Sequence, residues 1–232
     1  MNIEILQLID GAKKARGLTV IIDVFRAFSL ECYLLNSGAK YIYPVGDEAL
    51  ARRMKEDEPT AILAGERDGK ILPGFDLGNS PSEARRIDAS GKVVIHTTSA
   101  GTQGVTNAKG ADTILGASLV NARATAEYIR KSGAENVSLV CMGLAGKEPT
   151  DEDTLCAEYI KALTLGEEID ITERTYNLRF TSGAKFFDSM QSSVFPEADF
   201  HMCVEVDKFN FAIKIEKDDM DRFVSRRVNS YE

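Results

Sequence analysis

The chain has 232 residues, 44% of them hydrophobic and 28% charged. That is enough apolar material for one sizeable core or two small ones, and it excludes disordered and fibrous classes. A formal net charge of −8 argues against nucleic acid and anionic membrane surfaces as partners, because both demand a basic face.

Met1-Asn-Ile-Glu-Ile-Leu6 lacks the basic region and long apolar segment of a signal peptide, and the longest apolar runs are strand-sized. A cytoplasmic protein that does not enter membranes is expected. Cys32, Cys141, Cys156 and Cys203 are widely spaced, and two histidines, His96 and His201, are too few to build a zinc site with them. The cysteines read as reduced core residues.

Runs rich in Val and Ile occur at 18–24, 40–45, 60–64, 92–96, 112–116 and 137–142, separated by helix-like segments. The alternation predicts an α/β fold: three layers, α/β/α, around a largely parallel or mixed sheet. In a parallel sheet the loops after these strands share one edge, where α/β enzymes bind their ligands.

The first run, Leu18 to Asp23, delivers a carboxylate and then Arg26 to that edge, a pair suited to a divalent cation and an anionic group. The third leads through Gly65-Glu66-Arg67-Asp68-Gly69 to Gly74-Phe-Asp76-Leu-Gly-Asn79-Ser80-Pro81, which reads either as a ligand-embracing loop or as a surface turn before a helix. The fourth ends in Thr97-Thr98-Ser-Ala-Gly101-Thr102, whose hydroxyl and N–H groups either cradle phosphate or sulfonate oxygens or cap a helix. The last runs to Gly143 and Gly146, ahead of Asp151, Glu152 and Asp153 in a first helical turn. The helix dipole alone favours acids there; a functional reading needs one, Asp153, to point back over the sheet edge.

Val20 to Arg52 and Lys92 to Ala124 repeat one order of elements, so the chain reads as a single domain, 1–232, with repeated halves near 18–58 and 91–131. The generic rhythm of α/β units would look similar. Beyond about residue 165 the rhythm changes to a C-terminal elaboration, 166–232. Within it, Val204/Val206 and Phe209/Phe211/Ile213/Ile215 predict a β-hairpin over 201–216.

The motifs of dinucleotide-binding and P-loop enzymes are missing: no G-x-G-x-x-G follows a strand, and Cys141 stands where a Walker loop opens with glycine. There is no Cys-x5-Arg loop, and Phe25 breaks the Asp-x-Asp that Asp23 would begin in a haloacid-dehalogenase-type phosphatase.

Between about residues 18 and 213 the chain resembles the 2-phosphosulfolactate phosphatase (ComB-like) family. The likeness rests on Ile22-Asp-Val-Phe-Arg-Ala27, Gly65-Glu-Arg67 with Gly74 to Pro81, Thr97-Thr98 with Gly101-Thr102, and Gly143-x-x-Gly146 with Glu152-Asp153. It departs from the family pattern at Ser99-Ala100, where Thr-Asn is usual, at Phe28, where a small or hydroxyl residue is common, and at Ala212-Ile213, where Val-Pro is usual.

The resemblance implies Mg²⁺-dependent hydrolysis of 2-phospho-3-sulfolactate to 3-sulfolactate and inorganic phosphate, on a route to coenzyme M. On that reading Asp23, Arg26, Glu66 and Asp153 are catalytic, with Asp23, Glu66, Asp153 and Asp76 as metal ligands. Arg67, Asn79, Ser80, Thr97, Thr98, Gly101 and Thr102 would bind the small anionic phospho-acid. Two alternatives stand beside it: a Mg²⁺-dependent phosphatase for another small phospho-acid, which Ala100 favours, and a non-catalytic module that binds an anionic metabolite. A homo-oligomer is the base-rate expectation for a small α/β enzyme.

Overall fold

Every one of the six apolar runs forms a strand in the computed structural model, which describes residues 1–229. In chain order the elements are β1 (Asn2–Gln7), α1 (Leu8–Lys14), β2 (Gly17–Ile22), α2 (Ala27–Asn36), β3 (Tyr41–Pro44), α3 (Glu48–Asp57), β4 (Ile62–Arg67) and β5 (Lys70–Ile71). Then follow α4 (Pro81–Ala84), β6 (Val93–Thr97), α5 (Gly101–Asn107), β7 (Ala111–Ala117), α6 (Ala122–Ser132), β8 (Asn136–Cys141) and α7 (Asp151–Leu165). The chain closes with α8 (Thr172–Asn177), short 3₁₀ turns, α9 (Glu197–Cys203), β9 (Phe211–Lys217) and β10 (Phe223–Asn229).

The strands form one mixed sheet in the order β1-β8-β2-β7-β9-β10-β3-β6-β4-β5. β1, β8, β2 and β7 are mutually parallel, as are β3, β6 and β4. Between the two blocks, the β7–β9, β9–β10 and β10–β3 pairings are all antiparallel, so the blocks run in opposite directions. The expectation of one shared loop edge is therefore corrected. Six strand-to-strand steps separate β2 from β4, and a twist of roughly 20–25° per step turns one block through well over a right angle. Twist thus partly cancels the reversed polarity and swings the end of β4 toward the end of β2.

Alternation along β2 explains the layers. Ile21 packs in a cluster with Phe28 and Leu30 of α2, whereas Val20 and Ile22 face Ile129 of α6 and Leu155 of α7. A strand buried on both faces is continuously apolar, and each such side chain contributes on the order of 1.5–3 kcal/mol of burial. Gly116 of β7 is small for a packing reason: a Cβ there would lie 2.3 Å from the Phe28 ring.

The two stretches of like element order interlock. β2-α2-β3 and β6-α5-β7 each give one strand to each block, with β2 beside β7 and β3 beside β6. The expected hairpin is present, but it is β9–β10 in the centre of the sheet, and 201–206 is helix and turn. Val204 and Val206 pack against the second core from that turn, which mimics a strand's spacing of two.

Among the described residues no helix is long and apolar enough to cross a membrane. Cys32, Cys141, Cys156 and Cys203 are all buried and unpaired, and burial pushes every one of their thiols up.

Candidate active site

The end of β2 opens into a cleft of about 330 Å³ lined by residues from both blocks. Asp23 is its floor. One carboxylate oxygen accepts from Ala27 N at 3.1 Å and so caps the first turn of α2. The other faces the backbone at Gly101, where α5 begins; a Cβ on Gly101 would lie 2.8 Å from Ala27 Cβ and 2.9 Å from Asp23 Oδ2. That close approach requires glycine and brings the starts of α2 and α5 together.

Glu66, at the end of β4, accepts from Ser99 N at 2.7 Å and from Gly69 N at 2.8 Å, tying the β4–β5 turn and the β6–α5 loop to one carboxylate. Asp153 accepts from Val24 N and Gly143 N, each at 2.8 Å. It does point back over the sheet edge, and both its oxygens are spent on backbone N–H groups. Glu152, its neighbour, reaches the cleft with Oε2 buried and without a hydrogen-bond partner.

These acids repel one another in a dry place. Burial raises the Asp23 carboxyl to about 6, with Glu66 and Glu152 adding to the effect. Burial also pushes Glu152 and Asp153 up, and Asp153 is raised further by its two acidic neighbours. Lys185 is the cation that offsets Glu152. Its ammonium lies 5.2 Å from the Phe195 ring centre and 5.6 Å from that of Phe186, and it makes no hydrogen bond or ion pair among the described residues. Burial lowers its affinity for its proton, and Glu152 opposes that.

Several expected contacts are placed elsewhere. Arg26 lines the cleft, but its guanidinium is held by Asp199 at 2.7 Å, Val194 O at 3.0 Å and Gly69 O at 3.1 Å. Ser80 donates to Asp199 and caps α4. Thr98 and Thr102 bond each other's backbone N–H reciprocally, the simple cap that their position before a helix allows. Arg67 turns to Glu66 O and the Thr97 hydroxyl. Asp76 lies outside the cleft, half-exposed, accepting from Leu63 N and pairing with Lys55. Asn79, Ser99 and Ala100 do face the cleft.

Glu152, Lys185 and Asp199 were not singled out for the site from sequence. Glu152 shares its acidic turn with Asp153, and a helical step of about 100° is small enough to bring both inward. Lys185 and Asp199 sit in the C-terminal segment with no motif around them.

Among the described residues no three His, Cys, Asp or Glu side chains converge as a ready metal cage. The donors nonetheless suit a cation that keeps its waters. Asp23 and Glu152 are acids raised by burial, and Glu152 Oε2, Thr150 Oγ1 and Ser182 Oγ are buried together with no well-formed hydrogen bond, the two hydroxyls close enough to favour the Glu152 carboxylate. Mg²⁺ uses one or two carboxylates, waters and substrate oxygens rather than an all-protein cage.

A family model described as 2-phosphosulpholactate phosphatase matches residues 3–218. A protein of Caldanaerobacter subterraneus named as a probable 2-phosphosulfolactate phosphatase is 34% identical over 84% of this chain and 86% of its own length. A Bacillus subtilis protein of the same name is 32% identical over 87% and 88%. One from Caldicellulosiruptor saccharolyticus is 39% identical over 66% of this chain, the match spanning 64% of that relative. The chain belongs to the 2-phosphosulpholactate phosphatase family and is a hydrolase of the phosphatase class.

Proposed function

We propose that the protein hydrolyses 2-phospho-3-sulfolactate to 3-sulfolactate and inorganic phosphate, with Mg²⁺, in the cytoplasm. Besides the family relationship, the observation that carries this reading is one cleft holding an ammonium without an ion pair among the described residues, Lys185, together with two buried carboxylates, Asp23 and Glu152, of which Glu152 Oε2 has no hydrogen-bond partner. Asp23 and Glu152 would hold the metal, which when bound neutralises charge on the phosphoryl oxygens. Lys185 grips a non-bridging oxygen of the ester. The Gly101 N–H at the start of α5, aimed at Asp23, orients that acid. Glu66 and Asp153 act as struts that fix the loops around the phosphoryl group. The four reduced cysteines support a cytoplasmic setting, and a place on a route to coenzyme M follows only from the substrate.

The experiment is phosphate release from 2-phospho-3-sulfolactate with Mg²⁺ and with EDTA, beside phosphoglycerate and phospholactate. Metal-dependent release selective for the sulfonated ester is expected. Ala100 in the cleft wall favours one second reading, a sibling phosphatase. Faster release from an unsulfonated ester would establish it, and no release from any ester would overturn both.

A further inference from the structure

Behind the cleft wall lies a file of three buried side chains: Glu31 of α2, His96 of β6, and Asn79 just before α4. His96 Nδ1 is 3.1 Å from Glu31 Oε1, and Nε2 is 3.1 Å from Asn79 Oδ1. His96 is fully enclosed, Glu31 is 1% exposed, and Glu31 Oε2 has no partner. No lysine or arginine pairs with Glu31 among the described residues. Asn79 alone of the three reaches the cleft, where it is the one side-chain amide among the lining residues.

The proton inventory of this file decides which way the amide faces. An ionised glutamate beside a neutral imidazole would leave a net charge in the core, which is costly. A pair of zero net charge is either carboxylate with imidazolium or carboxylic acid with neutral imidazole. In the first, both ring nitrogens carry hydrogen; in the second, the acid donates to Nδ1 and the ring hydrogen sits on Nε2. Either way Nε2–H donates to Asn79 Oδ1. The amide NH₂, which has no protein acceptor among the described residues, is then turned to the cleft.

We propose that Glu31 and His96 are positioning residues that lock the Asn79 amide as a fixed N–H donor to an oxyanion of the substrate. That the oxyanion belongs to a phosphorylated acid rests on the proposed function; the direction of the amide does not. Without Nε2–H beside Oδ1, nothing on the buried side holds the NH₂ toward the cleft, so the lock favours anionic ligands over neutral ones.

Two readouts test this. The chain has only two histidines, so ¹⁵N-labelled protein with the exposed His201 changed to Gln reports His96 alone in a long-range ¹H–¹⁵N spectrum. Hydrogen on Nε2, with or without hydrogen on Nδ1, is expected at neutral pH; a bare Nε2 overturns the proposal whichever ester is hydrolysed. The second is binding of inorganic phosphate. Asn79→Leu, which keeps the size and removes the N–H donors without adding charge, and His96→Leu should each weaken it by about tenfold or more, the scale of a lost hydrogen bond to a charged group. His96→Gln, whose side-chain N–H₂ can donate where Nε2–H did, should restore most of it. Wild-type phosphate affinity in Asn79→Leu overturns the donor role, and equal losses in the His96→Leu and His96→Gln variants overturn the lock.

Discussion

Arg26 Nη1 meets Asp199 Oδ2 at 2.7 Å, and neither side chain is more than 3% exposed. The same guanidinium holds Val194 O and Gly69 O, while Asp199 also accepts from the Ser80 hydroxyl and Ser82 N. One ion pair thus joins the start of α2, the β4–β5 turn, the segment before α4 and the C-terminal turns that carry Lys185. The sequence-based role for Arg26 was a clamp on substrate; its geometry is that of a strut that assembles the cleft wall.

Removing one partner from such a pair strands a buried charge. Asp199→Ala should therefore destabilise the protein by roughly 3–5 kcal/mol, read as a melting temperature lower by roughly 6–20 °C for a chain of this size. Arg26→Lys should not rescue the fold, because an ammonium cannot reproduce the guanidinium's fixed fork. An Asp199→Ala protein that melts with the wild type would dismiss the strut.

Asp23 makes the opposite prediction for stability. Its carboxyl is raised from 3.8 to about 6, chiefly by burial, so in metal-free protein the neutral form is favoured inside. The unfolded chain ionises first as pH rises, and the folded state loses stability between about pH 4 and pH 6, on the order of 3 kcal/mol in all. Above that window the deficit is constant; below it there is none. In EDTA, Asp23→Asn should melt higher than wild type at pH 7.5, and the gain should vanish at pH 4. Turnover should fall by at least about a hundredfold. A gain that grows on acidification would reverse the sign of this argument.

Lys185 and Glu152 separate the two halves of the proposed chemistry. Lys185→Met keeps the stem against the phenylalanine rings and removes the charge, so KM for a phosphorylated acid should rise by about tenfold or more while the fold is unchanged. Glu152→Gln should instead raise the Mg²⁺ concentration needed for half-maximal rate by about tenfold. Titrating substrate and metal separately in both variants distinguishes them. If each variant moved both constants equally, the division of roles would fail.

The strands were legible because doubly buried strands are continuous apolar runs, and Asp23 was legible because it interrupts one at its end. The reversed direction of the second block was not. It depends on β9–β10 entering between β7 and β3, through a pairing of Ser225 with Ile42 that is about 180 residues distant in sequence and leaves no local signal. For the same reason Lys185 and Asp199 were invisible: nothing beside them records that the C-terminal turns fold back over Arg26. Thr98 and Thr102 illustrate the reverse case, a local cap whose residue types also suit anion binding. Asp76 was drawn toward the site by Glu66 and Asn79 on either side, yet its carboxylate is spent on Leu63 N and Lys55 at the strand's flank.

Gly101 tests whether the site depends on the two blocks being held at one separation. A Cβ at this position has two neighbours under 3 Å, Ala27 Cβ and Asp23 Oδ2. Neither yields easily, since Ala27 is fixed at the start of α2 and Asp23 is bonded to Ala27 N. Gly101→Ala must push α5 away from α2, pulling Ser99 N from Glu66 and the Gly101 backbone from Asp23. Overpacking of this kind costs roughly 1–3 kcal/mol, and a displacement near 1 Å at reacting groups costs up to about a hundredfold in rate. Gly78→Ala, in the 74–81 loop, is the control: its nearest neighbour would be Ile71 Cβ at an ordinary 3.4 Å. Melting temperature and turnover should both fall in Gly101→Ala and stay near wild type in Gly78→Ala. Full turnover in Gly101→Ala would mean that the approach of α5 to Asp23 has no part in catalysis.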